Sequence, residues 1–216
     1  MTNCRLYLIT PPCIDIAAFP AQLEKAFSGG DIGCVQLRLK DTSDADILKA
    51  AKALLPICHA HNAAFIMNDR PDLATQCGAD GVHLGQEDLE AWPVAKARKL
   101  LGEEKTIGVS AHASKHLAME AGGQGADYVA FGAFYPTKTK SAEKLAKYGT
   151  PTPEILSWWS NSTVLPSVAI GGITPANCSP LVKAGADFIA AITAVWEHPN
   201  GPDTAVKAFN NAMGKS

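Results

Sequence analysis

Eight short apolar runs, separated by helical stretches from one end of the chain to the other, constrain its fold more than any other feature. The predicted strands are Leu6–Thr10, Val35–Arg38, Ala64–Asn68, Gly81–Leu84, Thr106–Ser110, Tyr128–Gly132, Val168–Gly171 and Phe188–Thr193. Helical patterns fill the intervals at about 19–28, 44–61, 71–77, 89–101, 114–122, 153–159, 175–184 and 203–213. Regular β-then-α alternation gives parallel strands, because a parallel neighbour is reached only by a long crossover over the sheet face. A tripeptide recurs before three of the strands: Gly78-Ala-Asp80, Gly125-Ala-Asp127 and Gly185-Ala-Asp187. Gly33 opens what reads as a degenerate fourth copy. Each copy is one reused helix-to-strand turn: glycine ends the helix in the left-handed region and Asp bonds nearby backbone amides. Recurrence of one turn favours a radially repeating (β/α)8 TIM barrel over an open doubly wound sheet.

The 216 residues contain no domain linker and no low-complexity tract, so 1–216 reads as a single domain. Nineteen basic residues against twenty-one acidic ones leave a net charge of -2. That balance argues against nucleic acid or a membrane surface as partner and leaves any anionic ligand to a local cation cluster. The N-terminus lacks a basic stretch followed by a long apolar one, and no apolar run has the length of a membrane span. Six scattered cysteines without a C-x-x-C pair read as free thiols of a reducing cytoplasm. The oligomeric state is left open, a homo-oligomer included.

In a barrel of this kind the site lies at the C-terminal strand ends. Those ends carry Gln36, Arg38 and Lys40; Asn68, Asp69 and Arg70; His83, Gln86, Glu87 and Asp88; Ser110 and His112; Thr137, Lys138, Thr139 and Lys140; Gly171 and Gly172; and Ile192 with Thr193. Arg38 and Lys40 alternate along a strand and share a face, where two cations need anions beside them. They form either salt bridges to barrel carboxylates or a diphosphate clamp, the arginine as a fork and the lysine as a point charge. Asp69 and Asp88 suit an acid/base pair or a hard cation such as Mg²⁺, which takes one or two carboxylates and keeps positions for phosphate and water. Gly171-Gly-Ile-Thr-Pro175 reads as a glycine turn into a helix, with Thr174 as N-cap and bare amides for a phosphate. Four lysines between Pro136 and Thr152 make that stretch either a solvated loop or a lid over an anion. His59 and His61 do not share a helix face and read as surface residues; His112 and His116 suggest a metal pair that nothing else completes, and His83 and His112 sit at the rim, in either a supporting or a direct role.

Six blocks in order, Val35-Gln-Leu-Arg-Leu-Lys-Asp41, Met67-Asn-Asp-Arg-Pro-Asp-Leu-Ala74, Gly81-Val-His-Leu-Gly-Gln-Glu-Asp88, Ile107-Gly-Val-Ser-Ala-His112, Tyr135-Pro-Thr-Lys-Thr-Lys140 and Ala169-Ile-Gly-Gly-Ile-Thr174, resemble the thiamine phosphate synthase family. The resemblance runs from about residue 5 to 195. It implies a transferase that joins a pyrimidine diphosphate to a thiazole phosphate and releases diphosphate. It implies a pyrimidine diphosphate site at Gln36, Arg38, Lys40, Asn68, Ser110 and Lys140, with Arg38, Lys40, Ser110 and Lys140 catalytic. It implies Mg²⁺ on Asp69 and Asp88, and a thiazole phosphate site at Thr137, Thr139, Gly172, Ile192 and Thr193. Leu39 stands where the family usually has Glu, and should face away from the site. Ala130-Phe-Gly-Ala133 replaces a run richer in glycine and proline, and Thr193 replaces a usual Ser. Two other readings are a thiazole tautomerase, which needs neither metal nor diphosphate, and a non-catalytic sensor of thiamine intermediates.

Overall fold

The computed structural model describes residues 4–137 and 146–214. Its eight strands run β1 Arg5–Ile9, β2 Ile32–Leu37, β3 Ala64–Asn68, β4 Gly81–Leu84, β5 Thr106–His112, β6 Tyr128–Gly132, β7 Ser167–Ile170 and β8 Phe188–Ala191. All neighbours pair in parallel and β8 returns to β1, closing the expected barrel. The helices are α1 Phe19–Phe27, α2 Asp44–Ala60, α3 Pro71–Cys77, α4 Val94–Leu101, α5 Lys115–Gly123, α6 Glu154–Ser162, α7 Ser179–Lys183, α8 Thr193–Trp196 and α9 Pro202–Ala212.

Strand alternation splits the apolar residues into two bodies. Tyr7, Ile9, Cys34, Ile66, Tyr128, Ala130, Val168 and Ala190 fill the barrel interior. Leu6, Leu8, Val35, Leu37, Phe65, Met67, Val82 and their counterparts face outward beneath the helices. Leu39 joins that outer body, as its alternation with Arg38 and Lys40 demands.

The recurring tripeptide holds pairs of strands together. Gly78, Gly125 and Gly185 adopt φ of 74°, 95° and 98°, a region open to glycine without strain. The Asp that follows each glycine by two residues reaches across to the preceding strand rather than to its own turn. Asp80 accepts from the Phe65 N–H at 2.7 Å, Asp127 from Ile107 at 2.7 Å and Asp187 from Ser167 at 2.8 Å. Each Asp N–H also donates to the carbonyl of that same residue, so one residue satisfies both backbone groups of its partner. The fourth copy is Gly30-Asp31, not the segment opened by Gly33, since β2 begins at Ile32. Here the carboxylate pairs with the Arg5 guanidinium at 2.6 Å.

Three boundaries differ from the expected ones in ways that matter at the site. The α4 helix starts at Val94, because the Asp88 side chain closes a turn on the Gly85 N–H at 3.0 Å. The segment after β7 is a turn, with Asn177 Oδ1 accepting from the Thr174 N–H at 2.8 Å, and α7 begins only at Ser179. Thr174 therefore caps no helix. Finally, β8 ends at Ala191 and Thr193 opens a four-residue helix.

Candidate active site

A cavity of about 190 Å³ opens at the C-terminal end of the barrel. Gln36, Arg38, Lys40, Asn68, Asp69, Asp88, Ser110 and Thr137 all line it, from the ends of several strands and the loops that follow them. A second cavity of about 420 Å³ lies beside it, lined by Thr137, Gly172, Ile192 and Thr193. The two share Ile170, Gly171, Ala190 and Ile192 as a common wall. Every expected site residue among the described ones thus falls on one cavity or the other. Thr139, Lys140 and the middle of the expected lid, residues 138–145, lie outside the described residues.

Arg38 and Lys40 follow the last residue of β2, and the Arg38 N–H is pinned by the Thr10 hydroxyl at 2.9 Å. Lys40 Nζ meets Asp69 Oδ2 at 3.2 Å, whereas Arg38 has no salt-bridge partner among the described residues. A guanidinium aimed into a cavity without a carboxylate partner is a site prepared for an anion.

Asp69 takes a left-handed φ of 62°, which bends the chain just past β3. Short polar residues tolerate that conformation. Its N–H donates to the His83 carbonyl at 2.8 Å, continuing the β3–β4 ladder by one residue. Burial, and then the Asp69 carboxylate close by, push the Asp88 carboxyl up to about 6. A carboxyl group held up in this way beside a second carboxylate makes a place that a hard cation would relieve. Arg70, grouped with the rim residues by position, is turned away. It forks onto Asp44 at 2.6 Å and Asp72 at 2.6 Å, tying the start of α3 to α2.

Beneath the charged rim runs a chain of buried and half-buried polar groups whose linkage position at strand ends did not reveal. Gln36 Nε2 lies 2.9 Å from the Tyr7 hydroxyl. Tyr7 and Tyr128 hydroxyls are 2.9 Å apart, and Tyr128 lies 2.9 Å from His83 Nδ1. His83 Nε2 then meets Ser110 Oγ at 2.9 Å. Burial pushes both phenols well above their usual range and lowers the His83 imidazole to about 4. A neutral imidazole here can accept on one nitrogen and donate on the other. Tyr7 and Tyr128 were legible in principle, since Tyr7 lies two residues before the inward Ile9 and Tyr128 opens its strand. Both pass for packing until the register places them together. His112, at φ 53°, turns its ring onto Tyr148 with centroids 3.9 Å apart.

The glycines beside the second cavity leave room for backbone. A Cβ on Gly172, at φ 63°, would stand 2.4 Å from the Pro136 carbonyl. The first-turn residues Thr193 and Ala194 also line this cavity, where amides have no acceptor within their own helix.

Comparison with known proteins agrees with the geometry. The family described as thiamine monophosphate synthase matches residues 6–195. The chain is 54% identical over 213 residues to the thiamine-phosphate synthase of Rhodospirillum centenum, covering 99% of both chains. It is 48% identical over 211 residues to the thiamine-phosphate synthase of Hyphomonas neptunium, covering 95% of this chain and 92% of the relative. Among solved structures, a thiamine phosphate pyrophosphorylase from Pyrococcus furiosus superposes with a TM-score of 0.83 at 29% identity, covering 99% of this chain and 97% of the other.

Proposed function

The chain belongs to the thiamine monophosphate synthase family, and from that premise we propose that it joins an aminopyrimidine methyl diphosphate to a thiazole phosphate, giving thiamine phosphate and diphosphate. One observation carries the reading: Arg38, Lys40, Asp69, Asp88 and Ser110 converge on one cavity that shares a wall with a second, glycine-lined one. Two adjoining compartments suit two phosphorylated substrates whose reacting atoms must meet. A tautomerase would need neither the free guanidinium nor the carboxyl pair.

The bond from the pyrimidine's exocyclic methylene carbon to the diphosphate oxygen breaks, and its electron pair leaves with the diphosphate. The thiazole nitrogen then gives its lone pair to that carbon. No proton moves, so no general base is needed. Arg38 and Lys40 take up the charge growing on the leaving group, and Ser110 donates a hydrogen bond to it. Such preorganised groups act where charge develops, in a site that excludes bulk water. Gln36 holds the pyrimidine ring from below. Gly172 and the first-turn amides of α8 seat the thiazole's phosphate. Lys140, Thr137 and Thr139 complete the two sites in this reading.

The Asp69–Asp88 pair fits magnesium: two facing carboxyl groups and a cavity with space for phosphate and water oxygens. No cluster of three ligating side chains occurs among the described residues, and Mg²⁺ needs no third one when substrate supplies oxygens. When bound there, the ion supplies Lewis-acid neutralisation of the diphosphate. No helix among the described residues is long and apolar enough to cross a membrane, and the same reading places the enzyme in the cytoplasm.

Arg38→Ala and Asp69→Asn test the assignment. Each should lower kcat by roughly 10²–10³, or about 2.7–4 kcal/mol of transition-state stabilisation, at saturating Mg²⁺. Full turnover by either variant would falsify the role given to that residue.

A further inference from the structure

The polar chain from Gln36 to Ser110 has a direction, and we propose that this direction couples recognition of the pyrimidine's amino group to activation of the leaving group. Each phenol carries one proton and His83, when neutral, carries one. Fixing any one of them therefore fixes all the others along the four 2.9 Å contacts. Only two arrangements satisfy every member.

In the first, the Gln36 amide donates to Tyr7, Tyr7 to Tyr128, Tyr128 to His83 Nδ1, and His83 Nε2–H to Ser110. The Gln36 carbonyl oxygen is then free to accept from a ligand, and the Ser110 proton is free to be donated to one. In the second, the amide is flipped and every proton points the other way. Gln36 then offers N–H groups, and Ser110 spends its proton on His83 and offers only lone pairs. An exocyclic amine needs an acceptor, and a diphosphate oxygen needs a donor. A substrate with an amine at the Gln36 end and an anion at the Ser110 end is served at both ends only by the first arrangement.

Tyr7 and Tyr128 are thus positioning residues, acting through Gln36, His83 and Ser110. The cavity wall supports this role. Gly108 leaves the space that the Tyr128 ring occupies, since a Cβ there would stand 1.9 Å from it. Tyr7 and Tyr128 also meet edge to face with centroids 6.2 Å apart, so neither hydroxyl can swing to another partner without moving the ring. A ligand carrying a carbonyl in place of the amine would favour the flipped amide and silence Ser110 some distance away.

The inference rests on the placement of the pyrimidine at Gln36 and the diphosphate at Ser110 given above. Steady-state kinetics with the aminopyrimidine diphosphate and its oxo analogue test it in wild type, Tyr7→Phe and Tyr128→Phe, alongside Gln36→Ala and Ser110→Ala. Each phenylalanine removes one oxygen and keeps the ring. Wild type should discriminate against the oxo analogue in kcat as well as KM. Tyr7→Phe, which cuts the chain near Gln36, should keep kcat for the amine within about twofold, raise its KM, and lose the kcat part of the discrimination. Tyr128→Phe, which frees His83 to change tautomer, should lower kcat by about tenfold, the scale of one lost neutral hydrogen bond. In wild type with the amino substrate bound, the His83 ¹⁵N shifts should report a proton on Nε2, and in Tyr128→Phe that preference should weaken. Undiminished kcat discrimination in Tyr7→Phe, or a proton on Nδ1 of His83 in the wild-type complex, overturns the coupling. Unchanged kinetics in both Gln36→Ala and Ser110→Ala would instead show that the substrate sits elsewhere, which overturns the placement and the coupling with it.

Discussion

His83 shows how a single side chain can serve the site at a cost to the fold. Its ring bridges Tyr128 and Ser110, with no carboxylate bonded to either nitrogen, and burial lowers it to about 4 from an ordinary value of 6.5. A base whose folded value is depressed binds fewer protons than its unfolded counterpart between those two values. Stability is therefore complete above pH 6.5 and is lost as the pH falls toward 4. The ceiling on that loss is ~3 kcal/mol, reduced by any water that reaches the ring through the cavity. Urea unfolding of wild type and His83→Asn at about pH 7.5 and about pH 5, on either side of the ordinary histidine value, checks it. The wild type should lose more stability than the variant between the two values. Equal losses would mean that His83 titrates normally. The same imidazole could not hold the one-proton state the polar chain requires if it charged near neutrality.

At the scale of the strand, β5 and β6 determine whether the chain of hydroxyls can exist. Gly108 pairs with Tyr128 in register, and its missing side chain is the space for the phenol. Gly108→Ala should destabilise the protein by about 3 kcal/mol or more, since overpacking a filled interior forces backbone or ring to move. It should also lower turnover by displacing Tyr128. An unchanged unfolding midpoint would show that the interior yields more easily than this contact implies. The same pair explains what could be read in the residues alone. The strand ends announce Arg38, Lys40, Asp69, Asp88 and Ser110, because a charged or polar group at the end of a buried run must meet either a polar partner or a ligand. Tyr128 and Tyr7 carry no such signal: an aromatic inside a strand is an ordinary packing residue, and only register shows its hydroxyl meeting a histidine. The Gly-Ala-Asp copies announced a repeated turn, but their cross-strand reach depends on strand order, which no single turn contains. The glycine turn after β7 misled in one respect. Thr-Pro imitates a helix start, yet Asn177 takes the Thr174 N–H and holds a turn instead.

For the molecule as a whole, closure of the barrel and closure of its helical coat meet at one seam. α9 lies against α1 and β1, with Phe209 and Val206 fully buried. Asn210 donates to the Asp31 carbonyl at 3.1 Å and so joins α9 to the turn before β2. Truncation after Gly201 should remove cooperative unfolding, because burying two large apolar side chains alone is worth several kcal/mol against a typical total of about 5–15 kcal/mol. A truncated chain that unfolded in one sharp transition at the wild-type midpoint would show the seam to be dispensable. With the ring closed, neighbouring strand ends present cations, carboxylates and the Ser110 hydroxyl to one cavity, and the wall toward the next cavity is thin. That arrangement makes the joining of two phosphorylated substrates the central claim. The most direct check incubates the purified protein with both substrates and Mg²⁺ and follows thiamine phosphate and diphosphate together. The account predicts that they appear in equal amounts, and that both stop when Mg²⁺ is chelated. Folded protein that binds both substrates yet forms neither product with Mg²⁺ present would contradict it.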